Sequence, residues 1–211
     1  IGLYMLVMPT YGLFITICTL SLPIAISKLV SERIALGDSR GAHRIFKIAF
    51  ATFALIGLGG TMLLFFGAGY IANVWLEIPE AELTLVALSP SIFFVAISAV
   101  VRGYFNGKEN MRATANSQTL EQLFKTTLTI LFVAVVAVFS NSNTIIMAAA
   151  ANLATTFSTF LSFTYLYIYY KNKRKGIWRD VKKSPRGQNE SIGSIVKRIL
   201  SVSIPISLSS M

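Results

Sequence analysis

One apolar segment of this chain is too short to cross a membrane unless ionisable residues enter the bilayer with it. The charge-free run Thr126–Phe139 has 14 residues and rises only about 21 Å as an α-helix, whereas the hydrocarbon layer needs roughly 20 residues. The polar sequence Ser140–Asn143 follows it, so the helix is expected to extend backwards to about Ala113. Ionisable residues at such depth are costly and usually face a polar cavity or a partner. The segment therefore indicates a membrane protein that handles something polar.

The composition supports a membrane protein and argues against several other classes. The chain is 54% hydrophobic and 13% charged, which is typical of a polytopic membrane protein. Its net charge of +10 lies between apolar runs rather than on one polar surface, so no nucleic-acid partner is expected. Cys18 is the single cysteine, which excludes a disulfide framework and a cysteine-based metal site. The single histidine, His43, lies in a basic segment and is expected to be solvated.

The lengths of the apolar runs predict an all-α, polytopic transmembrane helix bundle. Five complete spans and the start of a sixth are predicted: Gly2–Ser27, Ile48–Leu76, Leu83–Val101, about Ala113–Phe139, Thr144–Tyr170, and a run that begins near Ile199. Residues 1–170 then form a five-span bundle, 171–198 a basic cytoplasmic linker, and 199–211 the start of the next helix. Within the linker, Ile192–Ile199 is expected to form a short amphipathic helix on the membrane surface.

The basic residues alternate between the predicted connections. The first connection has Lys28, Arg33, Arg40, Arg44 and Lys47, the third has Arg102, Lys108 and Arg112, and the fifth has ten basic residues between Lys171 and Arg198. The second and fourth connections have none. The positive-inside rule places the first, third and fifth connections in the cytoplasm. Ile1 then begins outside, and a preceding helix is expected in a longer protein.

The fourth predicted span carries the strongest candidate site. Thr114, Gln118, Glu121 and Lys125 recur at helical spacing, with Gln122 beside them, so they share one helix face. Glu121 and Lys125 stand at i and i+4 and can neutralise each other. Either the two form an intrahelical pair at the interface, or the face is the wall of a cavity that binds substrate or a coupling cation, H⁺ or Na⁺.

Three cationic residues fall on the predicted cytoplasmic side. Lys28 ends the first span, Arg102 ends the third, and Lys125 lies near the start of the fourth. If their helices surround one cavity, they form a cationic vestibule suited to a phosphate or pyrophosphate. The alternative is that each long side chain reaches back to the membrane interface.

Other patterns predict structure rather than chemistry. The small residues Ala54, Gly57 and Thr61 are typical of close helix packing, and Tyr165–Tyr170 is typical of an interfacial aromatic belt. The sequence contains no catalytic triad, metal-ligand cluster, P-loop or other cofactor motif. Neither an enzyme nor a cofactor is therefore expected, and transport would depend on an ion gradient or the membrane potential.

Two passages resemble a known family. The first is Gly2–Tyr11 continuing to Pro23–Glu32, and the second is Arg102–Gly107 followed by Met111, Ser117-Gln118 and Glu121-Gln122. Both resemble polysaccharide-biosynthesis flippases of the stage V sporulation protein B type, within the multidrug/oligosaccharidyl-lipid/polysaccharide exporter superfamily. The resemblance implies a MATE-like protein of fourteen helices in two lobes, of which this chain supplies helices two to six and the start of the seventh.

The same resemblance implies a function and a substrate. Such proteins are taken to flip lipid-linked polysaccharide or peptidoglycan precursors across the cytoplasmic membrane by alternating access. It implies that Arg102 and Lys125 engage the pyrophosphate, with membrane lipids as further partners. The candidate substrate-binding residues are therefore Lys28, Arg102, Gln118, Glu121, Gln122 and Lys125. A cation-coupled multidrug antiporter of the same superfamily and a non-transporting membrane scaffold are the alternatives.

Overall fold

The chain folds into α-helices joined by short turns. A computed structural model describes residues 21–139, 144–184 and 191–209. In these parts of the chain the α-helices are α1 Leu22–Ala35, α2 Ser39–Tyr70, α3 Glu82–Gly107, α4 Met111–Phe139, α5 Thr144–Lys183 and α6 Ile192–Ser209. A π-helical turn, Ile71–Trp75, continues α2, and a 3₁₀ turn, Pro79–Ala81, leads into α3. The described residues contain no strand, so the prediction of an all-α fold is confirmed.

Among the described residues, four helical segments are long and apolar enough to cross a membrane: Ser39–Trp75, Pro79–Gly107, Met111–Phe139 and Ile145–Lys183. They correspond to the second to fifth predicted spans. The first predicted span lies mostly outside the described residues, as do Cys18 and the loop Ser140–Asn143. The predicted surface helix at Ile192 and the span expected near Ile199 form one continuous helix, α6.

The third helix lies at the centre of the bundle, and α4 lies at its edge. In the most apolar stretch of each helix, 78% of the residues are buried in α3 and 0% in α4. Helix α3 packs against α1, α2 and α5, whereas α4 packs mainly against α5. Most of the surface of α4 is therefore available to lipid, to water or to another part of the intact protein.

Small residues bring α1 and α2 close to α3. A Cβ at Gly103 would lie 2.9 Å from the carbonyl oxygen of Pro23, and one at Gly107 would lie 2.7 Å from that of Ser27. On the other side, a Cβ at Gly57 of α2 would lie 3.1 Å from the Cβ of Ala96. Residues without a side chain permit this approach. The predicted packing role of the small-residue stripe is confirmed at Gly57.

The basic ends of the helices meet at one end of the bundle. The Ser184 hydroxyl donates to the carbonyl oxygen of Gly37 at 3.1 Å, and Lys108 Nζ lies 3.4 Å from Asp180 Oδ2. Arg198 Nη2 lies 2.7 Å from Glu32 Oε2. The three connections predicted to be cytoplasmic therefore lie together, as the alternation of basic residues requires.

Helix α5 continues past the end of its predicted span at Tyr170. Its last part reaches Lys183, so the first half of the predicted linker is helical. Ile177 is buried in the main core, and Val181 packs against that core. This apolar contact with the bundle explains why a polar, basic sequence stays helical beyond the bilayer.

Candidate functional site

The site centres on Arg102, whose guanidinium joins three helices. Arg102 is buried on α3 with 5% of its surface exposed. Its Nε donates to the Ser117 hydroxyl at 2.9 Å, and its Nη2 donates to the Ser162 hydroxyl at 2.9 Å and to Glu121 Oε2 at 2.5 Å. Ser117 and Glu121 lie on α4 and Ser162 on α5. One cation therefore ties α3 to both neighbouring helices.

Helical geometry explains why Arg102 reaches this position. Gly103 and Gly107 face α1, and the preceding residue is turned by about 100° around the helix axis. Ser117 and Glu121 stand one turn apart on α4 and so share a face. The Ser162 hydroxyl also donates to the carbonyl oxygen of Ser117 at 3.1 Å, so two small residues let α4 and α5 meet around the guanidinium.

Burial strengthens the attraction between Arg102 and Glu121 but removes water from both charged groups. The side chains of Arg102 and Glu121 are 6% and 20% exposed, so both ions have lost most of their hydration. Their attraction and the serine hydrogen bonds offset that loss, and removing either partner would leave an uncompensated buried charge. The pair therefore holds α3 and α4 in a defined register.

The spacing allows Lys125 to neutralise Glu121, but in the described structure Glu121 pairs with another residue. In the described structure the ion-pair partner of Glu121 is Arg102, which lies 19 residues earlier in the chain. An exposed i, i+4 pair contributes only about 0.2–0.5 kcal/mol, whereas a planar guanidinium in a buried site makes several hydrogen bonds at once. The tertiary contact therefore prevails over the local one.

The remaining polar residues of this face of α4 lie beside the pair and point outwards. Gln118 and Gln122 are exposed, and Lys125 is half-buried. Counting about 20 residues for the hydrocarbon layer back from Phe139 reaches Leu120, so Glu121, Gln122 and Lys125 lie at bilayer depth. We name Gln118, Gln122 and Lys125 the polar strip. Contact between these polar side chains and lipid hydrocarbon would be energetically unfavourable.

The predicted cationic vestibule is not assembled in the described lobe. Arg102 is buried and paired, whereas Lys28 is exposed on α1. Ile26 and Val30 face α3, and residue 28 lies on the opposite side of that short helix. Lys28 and Arg102 therefore do not line one cavity here, because α1 and α4 contact different sides of α3.

A second layer of hydrogen bonds holds α4 near its start. Thr114 donates to Asn106 Oδ1 at 2.6 Å, Asn110 Nδ2 donates to the Tyr169 hydroxyl at 3.0 Å, and Asn116 Nδ2 donates to the Tyr165 hydroxyl at 3.2 Å. Two members of the predicted aromatic belt are thus bound to asparagines of the neighbouring chain segment. These hydrogen bonds stabilise the N-terminal part of α4, which precedes the polar strip.

Sequence reasoning missed Ser117 and Ser162 as ligands of Arg102, and it misjudged His43. Ser117 falls inside the passage that carries the family resemblance, which was a usable signal, whereas nothing in the sequence marked Ser162. His43 was expected to be solvated, but it is 4% exposed. The extension of α5 covers it, since the ring of Trp178 lies 6.1 Å from that of His43.

The described residues contain no group of three or more His, Cys, Asp or Glu side chains that could hold a metal ion. The long apolar helices among the described residues define a multi-pass α-helical membrane protein. The chain belongs to the polysaccharide biosynthesis protein family, whose model matches residues 1–211.

Individual relatives agree with this assignment. Stage V sporulation protein B of Bacillus subtilis (strain 168) is 36% identical over 175 residues, which cover 82% of this chain and 33% of that protein. Lipid II flippase MurJ of the same organism is 28% identical over 174 residues, covering 79% of this chain and 32% of that protein. The chain spans about a third of the length of these curated relatives. No solved structure matches it.

Proposed function

We propose that the intact protein moves a lipid-linked saccharide pyrophosphate from the cytoplasmic to the outer leaflet by alternating access between two lobes. Family membership supports this reaction class, and one relative is named a lipid II flippase. The described helices form most of one lobe in this proposal. The other wall of the passage belongs to the rest of the intact protein.

The observation that carries the proposal is the polar strip beside the Arg102–Glu121 pair. Two exposed amides and a half-buried amine lie on one face of a peripheral helix, and by the residue count Gln122 and Lys125 lie at bilayer depth. Such groups are disfavoured in lipid, so this face of α4 borders a water-filled passage. That passage is where a polar headgroup would travel.

In this proposal the candidate residues have different roles. Lys125 is the cation of the strip and attracts the pyrophosphate as a point charge, while Gln118 and Gln122 offer hydrogen bonds to phosphate or sugar. Arg102 acts as a positioning residue in this conformation, because its guanidinium is occupied by Glu121, Ser117 and Ser162. It holds α4 so that the strip faces the passage.

The pair also bears on coupling and on the antiporter alternative. An antiporter of cationic compounds needs an available carboxylate, but Glu121 is held by Arg102. We therefore favour an anionic substrate over a cationic one. In this proposal the coupling ion is H⁺ or Na⁺.

A reconstituted transport assay tests the proposal. The intact protein and its Lys125→Gln and Lys125→Arg variants are placed in vesicles that contain a fluorescent pyrophosphate-linked polyprenyl saccharide. The Lys125→Gln variant is expected to slow translocation about tenfold, and the Lys125→Arg variant to keep most of the rate. Lys173→Gln, which removes the same charge outside the strip, serves as the control. No translocation by the wild-type protein would overturn the proposed function, and equal rates in all variants would remove the role of Lys125.

A further inference from the structure

A basic cleft lies between the first turns of α2 and the last turns of α5. It encloses about 350 Å³ and is lined by Arg40, His43, Arg44, Lys47, Trp178, Val181 and Lys182. Four of these side chains are cationic, and no carboxylate lies among the described residues of the lining. Electrostatic complementarity therefore favours an anionic occupant.

The acidic residues at these helix ends are engaged with other groups. Asp38 accepts a hydrogen bond from the backbone N–H of Gly41 at 2.7 Å and lies 3.6 Å from Arg33. Asp180 lies 3.4 Å from Lys108. These carboxylates cap α2 and join α5 to the α3–α4 turn, so neither forms part of the cleft.

His43 lies beside the cationic side chains in the wall of the cleft. Its ring lines the cleft, and only 4% of the residue's surface is exposed. Neither ring nitrogen has a hydrogen-bond partner among the described residues. Buried polar groups are nearly always paired. A neutral imidazole offers one donor and one acceptor, but both nitrogens are enclosed in this conformation. The affinity of the cleft for an anion therefore comes from its four cationic side chains.

An apolar groove borders the cleft. A second cavity of about 220 Å³ lies between α2, α3 and α5 and is lined by Phe46, Lys47, Phe50, Val101, Phe163, Tyr167 and Tyr170. Lys47 borders both cavities, and the uncharged run of α2 begins at the next residue, Ile48. The basic part thus lies at headgroup level and the aromatic part at acyl-chain level.

We propose that these two neighbouring cavities together form a binding site for one anionic phospholipid. Arg40, Arg44 and Lys47 hold the phosphate. An acyl chain lies along Phe50, Phe163 and Tyr167. The site lies on the α2–α5 side of the bundle and does not depend on the flippase proposal, because it involves none of the residues of the polar strip.

Native mass spectrometry of the intact protein in detergent tests this site. Phosphatidylglycerol or phosphatidylcholine is added at equal concentration, and retained adducts are counted for the wild type and for Arg44→Gln/Lys47→Gln. The matched control is Lys171→Gln/Lys175→Gln, which removes two exposed charges of α5 outside both cavities. A third variant, Phe50→Asp, places a charge in the apolar groove and leaves the basic cleft unchanged.

The wild type and the control are expected to retain phosphatidylglycerol in preference to phosphatidylcholine. Each basic residue near an anionic headgroup contributes a factor of about five, so the Arg44/Lys47 variant should lose at least tenfold in affinity. The Phe50→Asp variant should also lose the lipid. Equal retention by all variants would overturn the site. Binding of inorganic phosphate alone with the same strength, unaffected by Phe50→Asp, would identify a soluble anion site and overturn the lipid assignment.

Discussion

Arg102 and Glu121 lie 19 residues apart in the chain, yet Nη2 of Arg102 is 2.5 Å from Oε2 of Glu121 inside the bundle. The contact joins the central helix α3 to the peripheral helix α4 at the depth of the membrane. The same guanidinium binds serines of α4 and α5. One residue thus fixes the orientation of the helix that carries the polar strip.

Loss of one partner of this pair should destabilise the bundle strongly. Arg102→Gln or Glu121→Gln leaves a buried charge without a counter-ion, and each is expected to lower the free energy of unfolding by about 3 kcal/mol. The double variant should lose less than the sum of the two single variants. Thermal unfolding in detergent measures the cycle, with Lys125→Gln as a control that should change stability by under about 1 kcal/mol. Additive losses would mean that the two side chains are not coupled.

The close approach of α1 to α3 should make Gly103 intolerant of a side chain. In the Gly103→Ala variant the new Cβ would meet Ile26 Cβ and the Pro23 carbonyl oxygen, each at 2.9 Å, and the resulting shift should cost about 1–3 kcal/mol. Gly176→Ala is the matched control, since no atom lies within 4 Å of its added Cβ. That control should gain about 0.5–1 kcal/mol from helix propensity. Equal stability of the two variants in unfolding experiments would refute the packing account.

A glycine at position 109 should stabilise the α3–α4 turn. Glu109 has φ +58, a left-handed conformation that is unfavourable for residues with a Cβ. The Glu109→Gly variant is expected to raise the free energy of unfolding by about 1 kcal/mol. Glu109→Ala removes the same carboxylate but keeps the Cβ, so it should give no such gain. If both variants unfold at the same temperature, backbone strain is not the cause.

Much of the fold could be predicted from the sequence, because the lengths of apolar runs and the alternation of basic residues are set by the bilayer itself. The end of α5 could not be predicted in this way, since outside the membrane a helix needs no uncharged run. Ile177 and Val181 stand one turn apart and both contact the core, so their spacing was an available signal. The basic residues around Ile177 and Val181 instead favoured the prediction of a linker.

The site could be predicted only in part. Glu121, Gln118, Gln122 and Lys125 were found because their spacing on one helix is visible in the sequence. The partner of Glu121 depends on which face of α3 turns towards α4, and that follows from the contact of Gly103 with α1. The burial of His43 likewise depends on Trp178, which lies on a helix end that the apolar pattern did not reveal.

The central claim is that the polar strip of α4 lines a water-filled passage, and cysteine accessibility measures it directly. In the intact protein with Cys18→Ser, single variants Gln118→Cys and Gln122→Cys are treated with a charged thiol reagent, which reacts with the water-exposed thiolate. Leu123→Cys and Ile130→Cys are the controls, because both residues are exposed on another face of α4. We predict rapid labelling at positions 118 and 122 and protection at 123 and 130. Equal protection at all four positions would contradict the passage.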